Sequence, residues 1–290
     1  EITTDNGVLR HKSGLELRYG DVAAAAASGA LAAEPTLKPR SEWTFLGKAS
    51  PAKLNIPDIV SGKAVFGIDV KVPGMVHAAL RQSPVHGGTL KSHRPEAVLG
   101  MPGVRAVVVL DPANTRGLPA GVRSKATWPF GISQVQSAVA VIADHYWQAE
   151  QALQALPVEW DPGPGAQWKS SEQIYAAASA LHHTDGGRVL RKSGDVTSVQ
   201  GAKTVDATYG TPYCENAALE PLNGTARVSD DGVEVWCPTQ DMLQALWVAA
   251  DEVGVTPDKV NLHQTYVGGA FGRRTAADDV RMAVAVARAY

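Results

Sequence analysis

"YVGGAFGRRTAADD", residues 266–279, places three glycines, one phenylalanine and two arginines within eight consecutive positions. Before it, residues 260–267 alternate branched or long side chains with polar ones, the pattern of a strand. After it, "DDVRMAVAVARAY", residues 278–290, repeats apolar residues at helical spacing, and Thr275 followed by Asp278 has the form of a weak capping box. The local order is strand, glycine loop, helix. Such a turn brings backbone N–H groups and the positive end of a helix dipole to one point, which suits an anionic or oxo-bearing ligand. A guanidinium is also a bidentate partner for phosphate. Read locally, the same residues equally describe a tight turn with solvated arginines.

Working outward, "GTARVSDDGVEVWCPT" reads as a hairpin turning at Asp231-Gly232, and "QDMLQALWVAADEVG" as an amphipathic helix closed by Gly254. A helix joining two strands of one sheet makes a right-handed crossover, so the strand at 260–267 is expected to run parallel to the second strand of the hairpin. Residues 162–203 are rich in Gly, Ser and His and read as a connector holding one helix near residues 171–181. Upstream, residues 61–161 give the order β-β-α-β-β-α-β, an α+β domain of ordinary size. In that order two strands flank the turn Val72-Pro73-Gly74, "RPEAVLGMPG" is a short helix, and "VRAVVVLD" and "SAVAVIAD" are apolar strands. "HYWQAEQALQAL" is an amphipathic helix and "PVEWDP" a last short strand. Residues 1–20 form a hairpin around "KSG", "YGDVAAAAASGALAA" a helix, and residues 34–57 a proline-rich linker.

The chain has 290 residues, 44% of them hydrophobic, enough for about two domains with real cores. Its formal charge of -2, from 27 basic and 29 acidic residues, gives no reason to expect nucleic acid or an anionic membrane as partner. Apolar stretches are interrupted by charges or are short alanine runs, so no transmembrane helix is expected. The sequence starts at Glu1 without methionine and stops inside a helical pattern, which reads as a piece of a longer chain. GxSxG, HExxH and GxxxxGK[ST] are absent, and Gly268, Gly269 and Gly272 do not have the GxGxxG spacing of a dinucleotide site.

Cys214 and Cys237 stand in no CxxC or Cys/His pattern. They read as two small buried thiols, without the number needed for an iron–sulfur cluster. His182-His183, adjacent in the connector, point differently on any regular element and make a poor chelate. His263, inside the last strand, has a packing or backbone-bonding role. Glu220-Pro221, in "TPYCENAALEPLNGTARV", is a carboxylate in apolar surroundings that needs a partner or a raised pKa. It can line a pocket or accept N–H bonds from the turn that follows, and the second role is the expected one.

"GKAVFGIDVKVPGMVHAALRQSP", "AVAVIADHYWQAEQALQALPVEWD", "ENAALEPLNGTARV…DGVEVWCPTQ" and "VGGAFGRR" occur in the order found in one family. Together they resemble the molybdenum-binding large subunit of the xanthine dehydrogenase and aldehyde oxidase family, in the branch of the isoquinoline 1-oxidoreductase β subunit. The resemblance covers most of the chain from about Lys48 onward, and the "GGxFGRR" loop is its most distinctive part.

It implies an α+β chain in which an α/β hammerhead domain is followed by the start of the molybdenum cofactor-binding domain. On that reading residues 1–47 pack with the cofactor-binding region, 48–60 are a linker, 61–161 the hammerhead, 162–203 a connector and 204–290 the first, truncated part of the molybdopterin-binding domain. The molybdenum–pterin cofactor, with the cytosine dinucleotide as one candidate form, would lie against Gly268, Gly269, Ala270, Phe271, Gly272 and Arg273. Substrate-side candidates are Phe271, Asn216 and Glu220, and no residue of the chain ligates the metal directly.

The implied activity is oxidation of an aldehyde or N-heterocycle with water as the oxygen source. The family's catalytic glutamate lies near its far C-terminal end, outside this chain, so the 290 residues alone are expected to be inactive. Expected partners are a small subunit carrying iron–sulfur clusters, an electron acceptor such as a cytochrome, and a small-molecule substrate. The implied location is the periplasm or the periplasmic face of the inner membrane. Asn216-Ala217-Ala218-Leu219-Glu220-Pro221 stands where the family commonly has His-Ala-Pro-Met-Glu-Pro or a glutamine-led counterpart. A reading from another class is a non-enzymatic binding or assembly module that keeps the hammerhead scaffold.

Overall fold

The computed structural model describes residues 2–30, 33–48, 52–126, 134–182, 184, 186–195, 198–199, 201, 203 and 205–290. The chain divides into two units, Glu1–Ile56 and Pro57–Tyr290.

In the first unit β1 (Ile2–Asp5), β2 (Val8–His11) and β3 (Glu16–Arg18) form an antiparallel meander followed by α1 (Tyr19–Ala27). The hairpin and helix expected here are present, and β1 adds a strand not read from the sequence. Its turn is Asn6-Gly7, with φ of 47° and 78°, the positive-φ pair that a two-residue hairpin turn requires. The Arg18 N–H donates to Asp21 Oδ2 at 2.9 Å and anchors the start of α1.

The division falls after the first residue of α2 (Ile56–Val60), and the second unit then contains β4 (His77–Gln82), β5 (Thr89–His93), β6 (Val104–Leu110), β7 (Ala138–Ala143), α3 (Tyr146–Ala155), β8 (Val158–Asp161) and α4 (Ser171–Leu181). β7 lies between β4 and β6, antiparallel to both, and β5 pairs with β8. Every residue of β7 is buried, because both its faces are covered. Val139, Val141 and Ala143 pack with Ala149, Ala152 and Leu153 of α3, whereas Ala138 packs with Leu110, Val135 and Ala285.

Two expectations for this region are corrected. Residues 62–71 form no strand: only Phe66 bridges, to Tyr266, and Gly67–Asp69 is a single tight turn. The backbone donors there go to side chains instead, Phe66 N–H to Asp69 Oδ2 at 3.1 Å and Ile68 N–H to Glu220 Oε1 at 3.1 Å. A Cβ at Gly67 would collide with Asn223 and Pro238, which holds this turn against the second half of the unit. Residues 94–103 make one short turn, Pro95–Ala97, and not an α-helix. The turn at Val72 forms as read, with Met75 N–H donating to Val72 C=O at 3.1 Å and Gly74 at φ 76°.

The remaining elements are β9 (Thr225–Ser229), β10 (Gly232–Cys237), α5 (Met242–Val253), β11 (Val260–Gln264) and α6 (Asp278–Ala289). β10 is antiparallel to β9 and parallel to β11, with Val233 opposite Val260, as the crossover rule predicts. Asp241 Oδ1 caps α5 by accepting from Gln244 N–H at 2.9 Å, and Gly254 ends it at φ 75°. Val233, Val235 and Cys237 meet Ala245, Val248 and Ala249 of α5 and Val280 and Val284 of α6 in one core. The sheet and two helices thus fix both ends of the glycine loop.

Candidate functional site

β11 stops at Gln264, earlier than the alternation predicts. The Thr265 N–H still bonds Cys237 C=O at 3.2 Å, but the Tyr266 N–H turns to Val65 C=O at 3.0 Å and draws the chain off the sheet. At Gly268 the loop meets Glu220 reciprocally: Gly268 N–H donates to Glu220 Oε2 at 2.8 Å, and Glu220 N–H donates to Gly268 C=O at 3.1 Å. A Cβ at Gly268 would run into the Glu220 side chain, so glycine is required by close approach. Gly269 and Gly272 have φ of 110° and 90°, and Phe271, a residue with a side chain, has φ 54°. That left-handed conformation costs about 1–2 kcal/mol. Among the described residues no acceptor is found for the N–H groups of Gly269, Ala270, Phe271 and Gly272. A glycine-rich run of free N–H groups is a cradle for an anion or an oxo group.

The arginines do not add positive charge to that cradle. Arg273 chelates Asp278, with Nη1 to Oδ1 at 2.6 Å and Nη2 to Oδ2 at 2.8 Å. Arg274 is fully buried beneath the loop. Its Nε donates to Gly269 C=O at 3.0 Å, and its Nη2 donates to the carbonyls of Glu220 at 2.7 Å and Pro221 at 3.1 Å. The same guanidinium pairs with Glu220 Oε2 at 3.4 Å and with Asp279 Oδ2 at 3.6 Å. The capping box expected from Thr275 and Asp278 does not form. Thr275 Oγ1 donates to Gly272 C=O at 2.6 Å, a short turn intervenes, and α6 begins only at Asp278 after Ala277 at φ 54°. The positive end of the α6 dipole is met by its own Asp278 and Asp279.

Glu220 is buried, and its carboxylate accepts from Ile68 N–H, Gly268 N–H, Asn223 Nδ2 at 3.0 Å and Arg274. It lies under the loop and ties it to the 67–69 turn. Asn216 Nδ2 donates to Phe271 C=O at 2.9 Å, and Phe271 is 75% exposed. The residues the sequence reading did not single out are Ile68, Asn223 and Asp279. Their partners lie far off in sequence, and only the arginine and aspartate pairs at the start of α6 carried a local hint.

Burial pushes the Asp279 carboxyl up to about 6, with the neighbouring Asp278 charge adding to it and Arg274 opposing. Its value in the folded chain lies above the ordinary one near 3.9. Its contribution to stability is therefore fully present in acid, below about pH 4, and is lost as the pH rises through about 6. Asp279→Asn cannot titrate. Between pH 4 and 7 it should lose about 2–3 kcal/mol less stability than the native chain, read from urea midpoints. A difference between the two proteins that stays constant over that range would exclude the shift.

The other candidates lie elsewhere. His263 stacks on Trp236, centroids 4.8 Å apart, and its Nε2 is 3.3 Å from Glu234 Oε1. His182 is exposed, and His183 falls outside the described residues. Cys237 is buried as expected, its thiol pushed up to about 12 by burial, but Cys214 is exposed, and neither is in a disulfide. No group of three metal-ligating side chains occurs among the described residues. A cleft of about 300 Å³ between Asp111, Asn114, Arg116, Glu252 and Arg288 is built on structural ion pairs and shares no residue with the loop.

Residues 181–289, which include the loop and its arginines, match the family described as the molybdopterin cofactor-binding domain. Over 268 residues, 87% of the chain, it is 30% identical to the isoquinoline 1-oxidoreductase subunit beta of Brevundimonas diminuta. These matches support a molybdenum-binding subunit of the xanthine dehydrogenase family. It is also 28% identical, over 91% of its length, to the membrane-bound aldehyde dehydrogenase (pyrroloquinoline-quinone) of Gluconacetobacter polyoxogenes. It spans about a third of these curated relatives, 30% of the first and 33% of the second. Among solved structures it shares a fold with quinoline 2-oxidoreductase from Pseudomonas putida 86, with a TM-score of 0.54 and 18% identity over 78% of this chain and 31% of that one. For the aldehyde oxidoreductase from Desulfovibrio gigas the TM-score is 0.55 at 19% identity, covering 81% and 29%. The mixed helix and sheet architecture is therefore one that members of this family share.

Proposed function

We propose that the chain forms one wall of a molybdopterin site in the large subunit of a molybdenum hydroxylase that oxidises an aldehyde or an N-heterocycle. The observation that carries this is the run of four free N–H groups on residues 269–272, inside the matched region and held from beneath by Arg274 and Glu220. The residues fit the cofactor: they offer neutral, fixed donors to oxo or anionic groups, and a Cβ built at Gly272 meets nothing within 4 Å. When bound, the cofactor supplies two-electron oxidation with water as the oxygen source. The chain's own part is to position. Gly269 to Gly272 bind through backbone N–H groups, the exposed ring of Phe271 flanks the open side, and Glu220 sets the height of the loop.

The carboxylates at the base of the loop, Glu220, Asp278 and Asp279, are all paired. This supports a proton acceptor from another part of the full protein and an inactive 290-residue piece. The same reading takes residues 61–161 as the hammerhead, places iron–sulfur clusters on a separate small subunit with an acceptor such as a cytochrome, and locates the enzyme in the periplasm. No described helix is long and apolar enough to cross a membrane.

Molybdenum and pterin analysis tests the proposal, on the full-length gene product and on residues 1–290, both made in a host that synthesises the cofactor. Near-stoichiometric molybdenum in the full-length protein and none in the shorter one is the expected result. No molybdenum in either would overturn the enzyme assignment and favour a binding or assembly module.

A further inference from the structure

Four residues with side chains have positive φ among the described residues: Asn6, Ala217, Phe271 and Ala277. Asn6 sits in an Asn-Gly hairpin turn, where that conformation is ordinary. The other three all lie in the glycine loop or in the segment facing it, so backbone strain is concentrated at one place. Strain of this kind persists only where surrounding interactions hold it, and it gathers at functional sites.

Packing of the ring does not hold Phe271, since the side chain is largely exposed. Its carbonyl, however, accepts the Asn216 amide at 2.9 Å, and Asn216 directly precedes the strained Ala217. One hydrogen bond therefore joins the two strained backbones across 55 residues of sequence. The segments also touch: a Cβ at Gly269 would stand 3.3 Å from the Ala218 Cβ. The Phe271 carbonyl and the Gly272 N–H belong to one peptide plane. All peptide bonds here are trans, so the two groups point in opposite directions. Fixing the carbonyl toward Asn216 turns the Gly272 N–H away from it, and no acceptor meets that N–H among the described residues.

We propose that Asn216 is a positioning residue whose side-chain amide latches the Phe271 carbonyl and thereby aims the Gly272 N–H at the cofactor. The inference rests on the reading of the loop as a cofactor-facing wall. It assigns Asn216 to the backbone of the loop and not to substrate contact.

The test uses the full-length protein with Asn216→Asp, which keeps the shape but loses the donor, Asn216→His, which keeps a donor, and Asn216→Ala as a second donor-free variant. Hydrogen exchange is followed in the molybdenum-free form at the Arg273 and Thr275 amides, which bond the carbonyls of Ala270 and Gly272. Molybdenum retained after dialysis and the melting temperature are measured in parallel. In the donor-free variants the loop amides should exchange about tenfold faster and molybdenum be lost several-fold faster, with the melting temperature unchanged and the His variant close to the native protein. Unchanged loop exchange without the donor, or a His variant as impaired as the Asp variant, would overturn the latch. A native protein that binds no molybdenum sinks the proposed function instead, and the exchange comparison still decides whether the latch exists.

Discussion

Arg274→Met should lower the stability of the chain by about 3–5 kcal/mol, a large share of the 5–15 kcal/mol that typically holds a domain together. Methionine fills much of the volume, so the loss is electrostatic and not a cavity effect. Without the guanidinium, the carbonyls of Gly269, Glu220 and Pro221 lose their donor, and the buried Asp279 loses the arginine that pairs with it. Each unsatisfied buried group costs about 1–3 kcal/mol. Arg274→Lys should fall between the two, because an ammonium keeps the charge but lacks the planar fork that spans three carbonyls. Thermal unfolding is the measurement, with an expected drop on the order of 10 °C for a unit of this size. A melting temperature within about 2 °C of the native value would mean that the loop does not depend on this arginine.

The second large effect is expected at the opposite end of α5. Glu252 is 1% exposed and accepts from Arg281 Nη1 at 2.9 Å, Arg288 Nη2 at 3.0 Å and Thr115 Oγ1 at 3.2 Å. Its backbone carbonyl takes the Arg288 Nη1 at 2.9 Å, while Arg281 Nη2 reaches Asp251 at 2.6 Å. One carboxylate thus ties α5 to α6 and to the segment that leaves β6. Glu252→Leu strands the fully buried Arg281 with a single carboxylate partner and should cost about 3–5 kcal/mol. Glu252→Gln keeps an acceptor and should lose less. Adding Arg281→Met to Glu252→Leu removes the stranded charge and should recover part of the loss, a coupling that a double-mutant cycle in urea reads directly. Additive losses in the double variant would show that the pair is not coupled.

Much of the architecture was legible because the signals are local. The apolar run of β7, the Gly254 cap of α5, the Pro73-Gly74 turn and the helix at 171–181 depend on neighbours within a few residues. Where the structure departs from expectation, a distant partner has taken the backbone. Residues 62–71 have the composition of a strand, but Ile68 gives its N–H to Glu220, 152 positions away, and Gly67 is pressed onto Pro238. The helix expected to start at Thr275 starts later, because Arg273 claims Asp278 and Thr275 bonds back to Gly272.

The sequence by itself determined that a glycine loop at residues 268–274 joins a strand to a helix, and that several ordered motifs resemble one family. It left both roles open for the two arginines and, for Glu220, favoured backbone bonding over a pocket without reaching its distant partners. Only the tertiary structure decided them. Burial puts Arg274 and Glu220 out of reach of water, where each must find the other, and Arg273 finds Asp278 nearby. With the charges spent on one another, the backbone N–H groups remain as what the loop offers to a ligand, an outcome set by which groups the fold buries together and not by the order of the residues.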